Sequence, residues 1–129
     1  MKAQLEDLVQ ITGVALRAQQ AELVAIQRHE EDLRLNLAQL TASKSTQAQS
    51  NRASDDAALV AGADMRWHLW VDQRRALINA ELARVLAQKE NCREKLKRAF
   101  GRDQAAVALK VRHASTRETL KRRRRAYES

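Results

Sequence analysis

The chain has no proline, three glycines, one cysteine and only four aromatic residues in 129: Trp67, Trp70, Phe100 and Tyr127. So few large side chains exclude a thick globular core. A single cysteine excludes an internal disulfide, and Cys92 falls on an apolar helical seam, where it reads as a small hydrophobe rather than a redox group or ligand. No apolar run approaches the roughly 18 residues of a membrane span, and Glu6 and Asp7 interrupt any signal-peptide core at the start. The expectation is a cytoplasmic protein.

What remains is alanine, leucine, glutamine, arginine, lysine and glutamate, which with helical periodicity mark long helices rather than a sheet. Positions 5, 9, 12, 16, 19, 23, 26, 30, 33, 37 and 40 alternate steps of four and three, and eight of these eleven residues are apolar. A seven-residue repeat kept this strictly predicts a left-handed coiled coil, with Gln19 and Glu30 as polar interruptions able to fix register. Helix one is expected over about 3–42.

Serine, threonine, asparagine and aspartate then cluster, so a connection is expected over about 43–63. Ser54 with Asp55 and Asp56 could cap the next helix, and Asp64 is the rival cap. A second seam runs through Val71, Ile78, Leu82, Val85, Cys92 and Leu96, slips to Phe100 and resumes at Val107 and Val111, with Arg75 and Lys89 also on it. Helix two is expected over about 64–124. The fold class is therefore all-α, an elongated antiparallel two-helix coiled-coil hairpin forming one domain over 1–129.

Folding back about residue 53 sets Trp67 opposite Leu40, Cys92 near Gly13 and Phe100 near Leu5. Helices of about 60 and 90 Å then leave "HASTRETLKRRRRAYES" as an unpartnered overhang. Residues 1–64 hold 6 basic and 9 acidic residues, net −3, whereas residues 65–129 hold 18 and 7, net +11. Opposite signs favour pairing of the arms, by tenths of a kcal/mol per exposed pair.

Catalysis needs titratable groups converging in a closed pocket, which a two-helix hairpin lacks. His29, His68 and His113 lie far apart, and none stands four residues from another histidine or from Cys92, so a zinc site is not expected. No phosphate-binding loop, dinucleotide turn or nucleophile elbow occurs. The expectation is a non-enzyme without cofactor or metal. Lys121 to Arg125 is a run of five cations without stacking aromatics. It reads as a solvated tail, as a contact for an acidic protein, or as a sequence-blind contact for nucleic acid or another polyanion.

The stretch "RWHLWVDQRRALINAEL" on the second arm of a short, basic, proline-free hairpin resembles the FliJ/YscO family, the stalk proteins of type III secretion ATPases. Arg66, Trp67, Trp70 and Leu77 match the family's pattern, while Gln73 stands where a further aromatic is usual. The resemblance implies a stalk that is cytoplasmic, at the cytoplasmic face of a bacterial secretion apparatus, while two complementary seams in one chain lead to the expectation of a monomer in isolation. Its implied partners are a hexameric export ATPase, the cytoplasmic domain of an export gate, and export chaperones. It further implies that the terminal end, Leu5 with Arg112, Arg117, Lys121, Arg122, Arg123, Arg124 and Arg125, contacts the ATPase ring. Arg66, Trp67, Trp70 and Leu77 would then serve the gate. Packing at the end of the hairpin is the other reading of the tryptophans, and binding of nucleic acid or another polyanion is the alternative function.

Overall fold

The computed structural model describes residues 1–52 and 56–129 and is an all-α helical hairpin. Helix α1 spans Lys2–Arg52 and helix α2 spans Ala57–Glu128. No strand occurs among the described residues. The expected connection over 43–63 is thus mostly helix. Of its polar residues, Ser43, Ser45, Thr46 and Gln49 are tolerated because they sit on exposed faces. Thr41 and Thr46 each donate a hydroxyl hydrogen bond to the carbonyl four residues earlier, Leu37 at 3.1 Å and Ala42 at 3.0 Å, a pattern that removes the competition between such side chains and the helical backbone.

Of the expected caps, Ser54 and Asp55 lie outside the described residues. Asp56 caps α2: its Oδ1 accepts from the Leu59 N–H at 3.2 Å, satisfying a donor that a helix start leaves orphaned. Asp64, the rival, lies two turns inside α2, where it pairs with His68 at 3.3 Å. Helix two therefore begins seven residues earlier than about 64, and helix one ends ten residues later than about 42.

The chain groups into two compact units, Met1–Val24 with Asn91–Ser129, and Ala25–Glu90. In Ala25–Glu90, Leu33, Ile78 and Val85 form a buried cluster with Ile26, Leu37, Leu40 and Leu82 packed on it. Val71 is fully buried. Seated in this apolar seam, Glu30 is 8 % exposed and accepts from Lys89 Nζ through both carboxylate oxygens, at 3.0 and 3.2 Å. Arg34, one turn along α1, approaches at 3.5 Å. The Lys89 hydrogen bond holds the Glu30 carboxyl below its ordinary value against the opposing effect of burial, with the charges of Lys89 and Arg34 assisting. On the rim, His29 meets Glu81 at 3.1 Å.

In the other unit α2 buries Cys92, Ala99 and Ala106, each seven residues from the last. The Cys92 thiol faces the Gln19 carbonyl at 3.9 Å. Burial pushes its pKa up, with Glu22 adding to the effect and Lys95 opposing it, so the thiol stays protonated and unreactive at neutral pH. The Thr12 hydroxyl lies 3.0 Å from Asp103 Oδ1 and 3.1 Å from the Val9 carbonyl, and can donate to either.

These contacts correct the register expected from sequence. Cys92 faces Gln19 instead of Gly13, Gly13 lies beside Asp103, and Leu5 lies with Lys110, His113 and Arg117 instead of Phe100. Part of the expected overhang therefore has a neighbour, as far as Lys121. The seam correction is of the same kind. There is no slip to Phe100, because the seven-residue repeat continues through Ala99 and Ala106 and leaves Phe100 53 % exposed, with Val107 and Val111 also outside.

Two predictions test these assignments. Lys89→Ala strands a carboxylate in the seam and lowers the melting temperature, whereas the double replacement Glu30→Leu with Lys89→Leu restores it to the wild-type value or above. Because the folded carboxyl titrates below its ordinary 4.5, the contribution of the pair is intact above that pH and fades as pH falls further. Thermal melts of wild type and Glu30→Gln between pH 6 and 2 should converge at the acidic end. The second prediction concerns the seam: Phe100→Ser changes stability by less than about 0.5 kcal/mol, whereas Ala106→Asp costs several kcal/mol by burying an unpaired charge. Urea titration measures both, and the opposite order would restore the slip to Phe100.

Candidate functional sites

Helix α2 carries the tryptophans ten and thirteen residues into its length. Trp67 occupies the inward side, one turn before Val71, which is fully buried four residues on. It is half-buried, and its Nε1 is enclosed without a hydrogen-bond partner. Trp70 lies on the outer side, 49 % exposed, and stacks on Trp67 with ring centroids 5.2 Å apart and planes at 23°. That separation is within the favourable range for offset aromatic pairs. The two residues thus divide the work that the sequence left undecided: Trp67 packs, and Trp70 extends the packed surface into solvent.

The same face continues in both directions. Arg66, Trp70, Gln73 and Leu77 recur at helical spacing, Leu77 is 65 % exposed, and Leu69 flanks them with most of its side chain in water. Large apolar groups gathered beside a cation have the make-up of a protein contact. Four residues named from sequence therefore separate into three on an accessible face and one, Trp67, behind it.

The second place is the cationic end of the other unit. Residues 1–24 and 91–129 hold 15 basic and 7 acidic residues, net +8, while residues 25–90 hold 9 of each and are neutral. All the net charge of the chain belongs to one unit. Leu5, Arg117 and Lys121 line a cleft there together with Lys2, Lys110, His113, Ala114 and Glu118. Arg112 borders a shallower groove with Met1, Leu5 and Leu109. By contrast Arg122, Arg123, Arg124 and Arg125 are four successive residues of a helix and point to all sides of it. Each is exposed, and Arg122 reaches Glu118 at 3.9 Å.

Sequence reasoning missed Lys2, Lys110 and His113 as members of this cluster. The signal was present: continuing the buried repeat past Ala106 lands on Lys110, His113 and Arg117, and running the α1 seam back from Leu5 lands on Lys2. Among the described residues no group of histidine, cysteine, aspartate and glutamate is placed to hold a metal ion, and no helix is long and apolar enough to cross a membrane.

Neither a family model, nor a curated protein, nor a solved structure matches this chain. The resemblance to the FliJ/YscO family rests on Arg66, Trp67, Trp70 and Leu77 within a helical hairpin.

The tryptophan geometry predicts unequal responses to a neutral quencher. Acrylamide should quench the emission of Trp67→Phe, which retains Trp70, several-fold more steeply than that of Trp70→Phe. Equal slopes would place both rings in the same environment.

Proposed function

We propose that this chain is a non-enzymatic stalk component of a type III secretion system, engaging the hexameric export ATPase and linking it to the export gate and to chaperones at the cytoplasmic face of the membrane. The observation that carries the reading is the face of Arg66, Trp70 and Leu77, backed by Trp67, on the second helix of a hairpin. Exposed aromatic anchors beside arginine are the groups that dominate the energetics of protein contacts, and these four residues are the ones that resemble the family. The distribution of charge supports the second half of the proposal. A unit of net +8 attracts an acidic surface over a distance. Its solvated arginines contribute only tenths of a kcal/mol per pair, so contacts break and re-form singly, which suits a shaft that moves against a surrounding ring.

In this reading Trp70 touches the gate, Leu77 and Arg66 set its orientation, and Trp67 holds Trp70 in place. Leu5, Arg112, Arg117, Lys121 and Arg122 to Arg125 meet the ring. Reconstitution with a purified export ATPase and the cytoplasmic domain of its gate tests both contacts. Trp70→Ala should weaken gate binding by about 1 to 3 kcal/mol with helix content unchanged, and replacing Arg122 to Arg125 by alanine should remove stimulation of the ATPase. A chain that binds neither protein, but binds duplex DNA with an affinity falling steeply with salt, would instead be a polyanion-binding coiled coil.

A further inference from the structure

In the unit formed by Met1–Val24 and Asn91–Ser129, the paired helices enclose a cleft of about 230 Å³ lined by Lys2, Leu5, Lys110, His113, Ala114, Arg117, Glu118 and Lys121. Leu5 and Ala114 give it an apolar floor. Around that floor stand three lysines, an arginine and a histidine, against one carboxylate, Glu118, which is itself shared with Arg122. None of the five basic side chains has an ion-pair or hydrogen-bond partner among the described residues.

The position of these cations is as informative as their number. Lys110, His113 and Arg117 continue the repeat that buries Cys92, Ala99 and Ala106, and Lys2 continues the α1 seam one step before Leu5. Seam positions are where a helix pair normally places apolar groups and excludes charge. Here Lys2, Lys110 and Arg117 are exposed and His113 is half-buried, so the two seams line one cleft with like charges whose N–H donors face solvent. A bound anion would take up those donors and offset the repulsion.

We propose that this cleft is a binding site for a phosphate-type dianion, either inorganic phosphate or a terminal phosphate group of a small metabolite. One arginine and three lysines lining the same cleft offer a planar fork and ammonium donors, which suit a tetrahedral oxyanion with several acceptor oxygens. The cleft is smaller than the roughly 300 to 1,000 Å³ of sites for drug-sized ligands, which favours a compact anion. The site does not depend on the stalk reading: it would exist in a protein of any function with this seam.

A ligand that binds only the folded chain stabilises it in proportion to the logarithm of its occupancy, so thermal melts read the site directly. At fixed ionic strength, exchanging chloride for inorganic phosphate or pyrophosphate should give a saturable rise of about 3 to 6 °C at ten times the dissociation constant. Saturation separates it from the general salting-out effect of phosphate and sulfate, which grows steadily with concentration. The double variant Lys110→Ala with Arg117→Ala should melt in chloride no lower than wild type, because repulsion is relieved, and should lose the saturable rise. Replacing Arg122 to Arg125 by alanine should leave that rise intact. A larger response to glucose 6-phosphate than to inorganic phosphate would assign the site to a phosphorylated metabolite, and the reverse to the free ion. The proposal is overturned if phosphate and chloride give the same melting temperature. It is equally overturned if the rise survives in the double variant, or if it disappears with the arginine run instead.

Discussion

The contact between Glu30 and Lys89 is the constraint on which the pairing of the helices turns. A carboxylate that is 8 % exposed within an apolar seam is tolerable only with a cation at hydrogen-bond distance. Shifting α2 by one heptad in either direction would present Leu82 or Leu96 to it in place of Lys89. The apolar positions resist the same slip, because the residues seven away from Leu82 and Leu96 on α2 are Arg75, Lys89 and Asp103. The ion pair adds to that resistance. A polar group buried at one seam position fixes register in this way in coiled coils generally. The contacts of Thr12 with Asp103 and of Cys92 with Gln19 are consistent with the register it sets.

How much of this was legible depends on which helix is considered. All eleven seam positions assigned to α1 from its repeat are half-buried or buried, Gln19 and Glu30 included. For α2 the same reasoning went astray at Arg75, which is exposed, and again beyond Leu96. Phenylalanine outranks alanine in hydrophobicity, so Phe100, Val107 and Val111 looked like the continuation, but burial in a helix pair follows angular position first. Ala99 and Ala106 keep the seven-residue step and are the buried residues. The connection was misjudged because polarity was taken for irregularity, although serine, threonine and glutamine on a solvated face do not end a helix. The expected centre of the turn, about residue 53, nevertheless falls between the end of α1 at Arg52 and the start of α2 at Ala57; the register differs along the arms.

The tryptophans show a limit of a different kind. Spacing alone placed Trp67 and Trp70 three residues apart on α2, and it could not say that one ring lies behind the other. Stacking at 5.2 Å makes the exposed ring an extension of a half-buried one, which favours one orientation before any partner arrives. A pre-ordered aromatic loses little side-chain freedom on contact, which is where much of the cost of association arises. The unpartnered Nε1 of Trp67 is the one unfavourable feature of that arrangement.

The distances in sequence across these contacts also order events in time. Pairs within Ala25–Glu90 join residues 52 and 59 apart, whereas those in the other unit join residues 73 and 91 apart. Loop closure favours the shorter spans, and each pair formed shortens the effective loop for the next. Zipping from the turn outward is the natural sequence. The cationic cleft, where Lys2 meets Lys121, then forms last and frays first. An anion bound at the proposed site would act as a clasp, setting how long the two strands of the zipper stay shut.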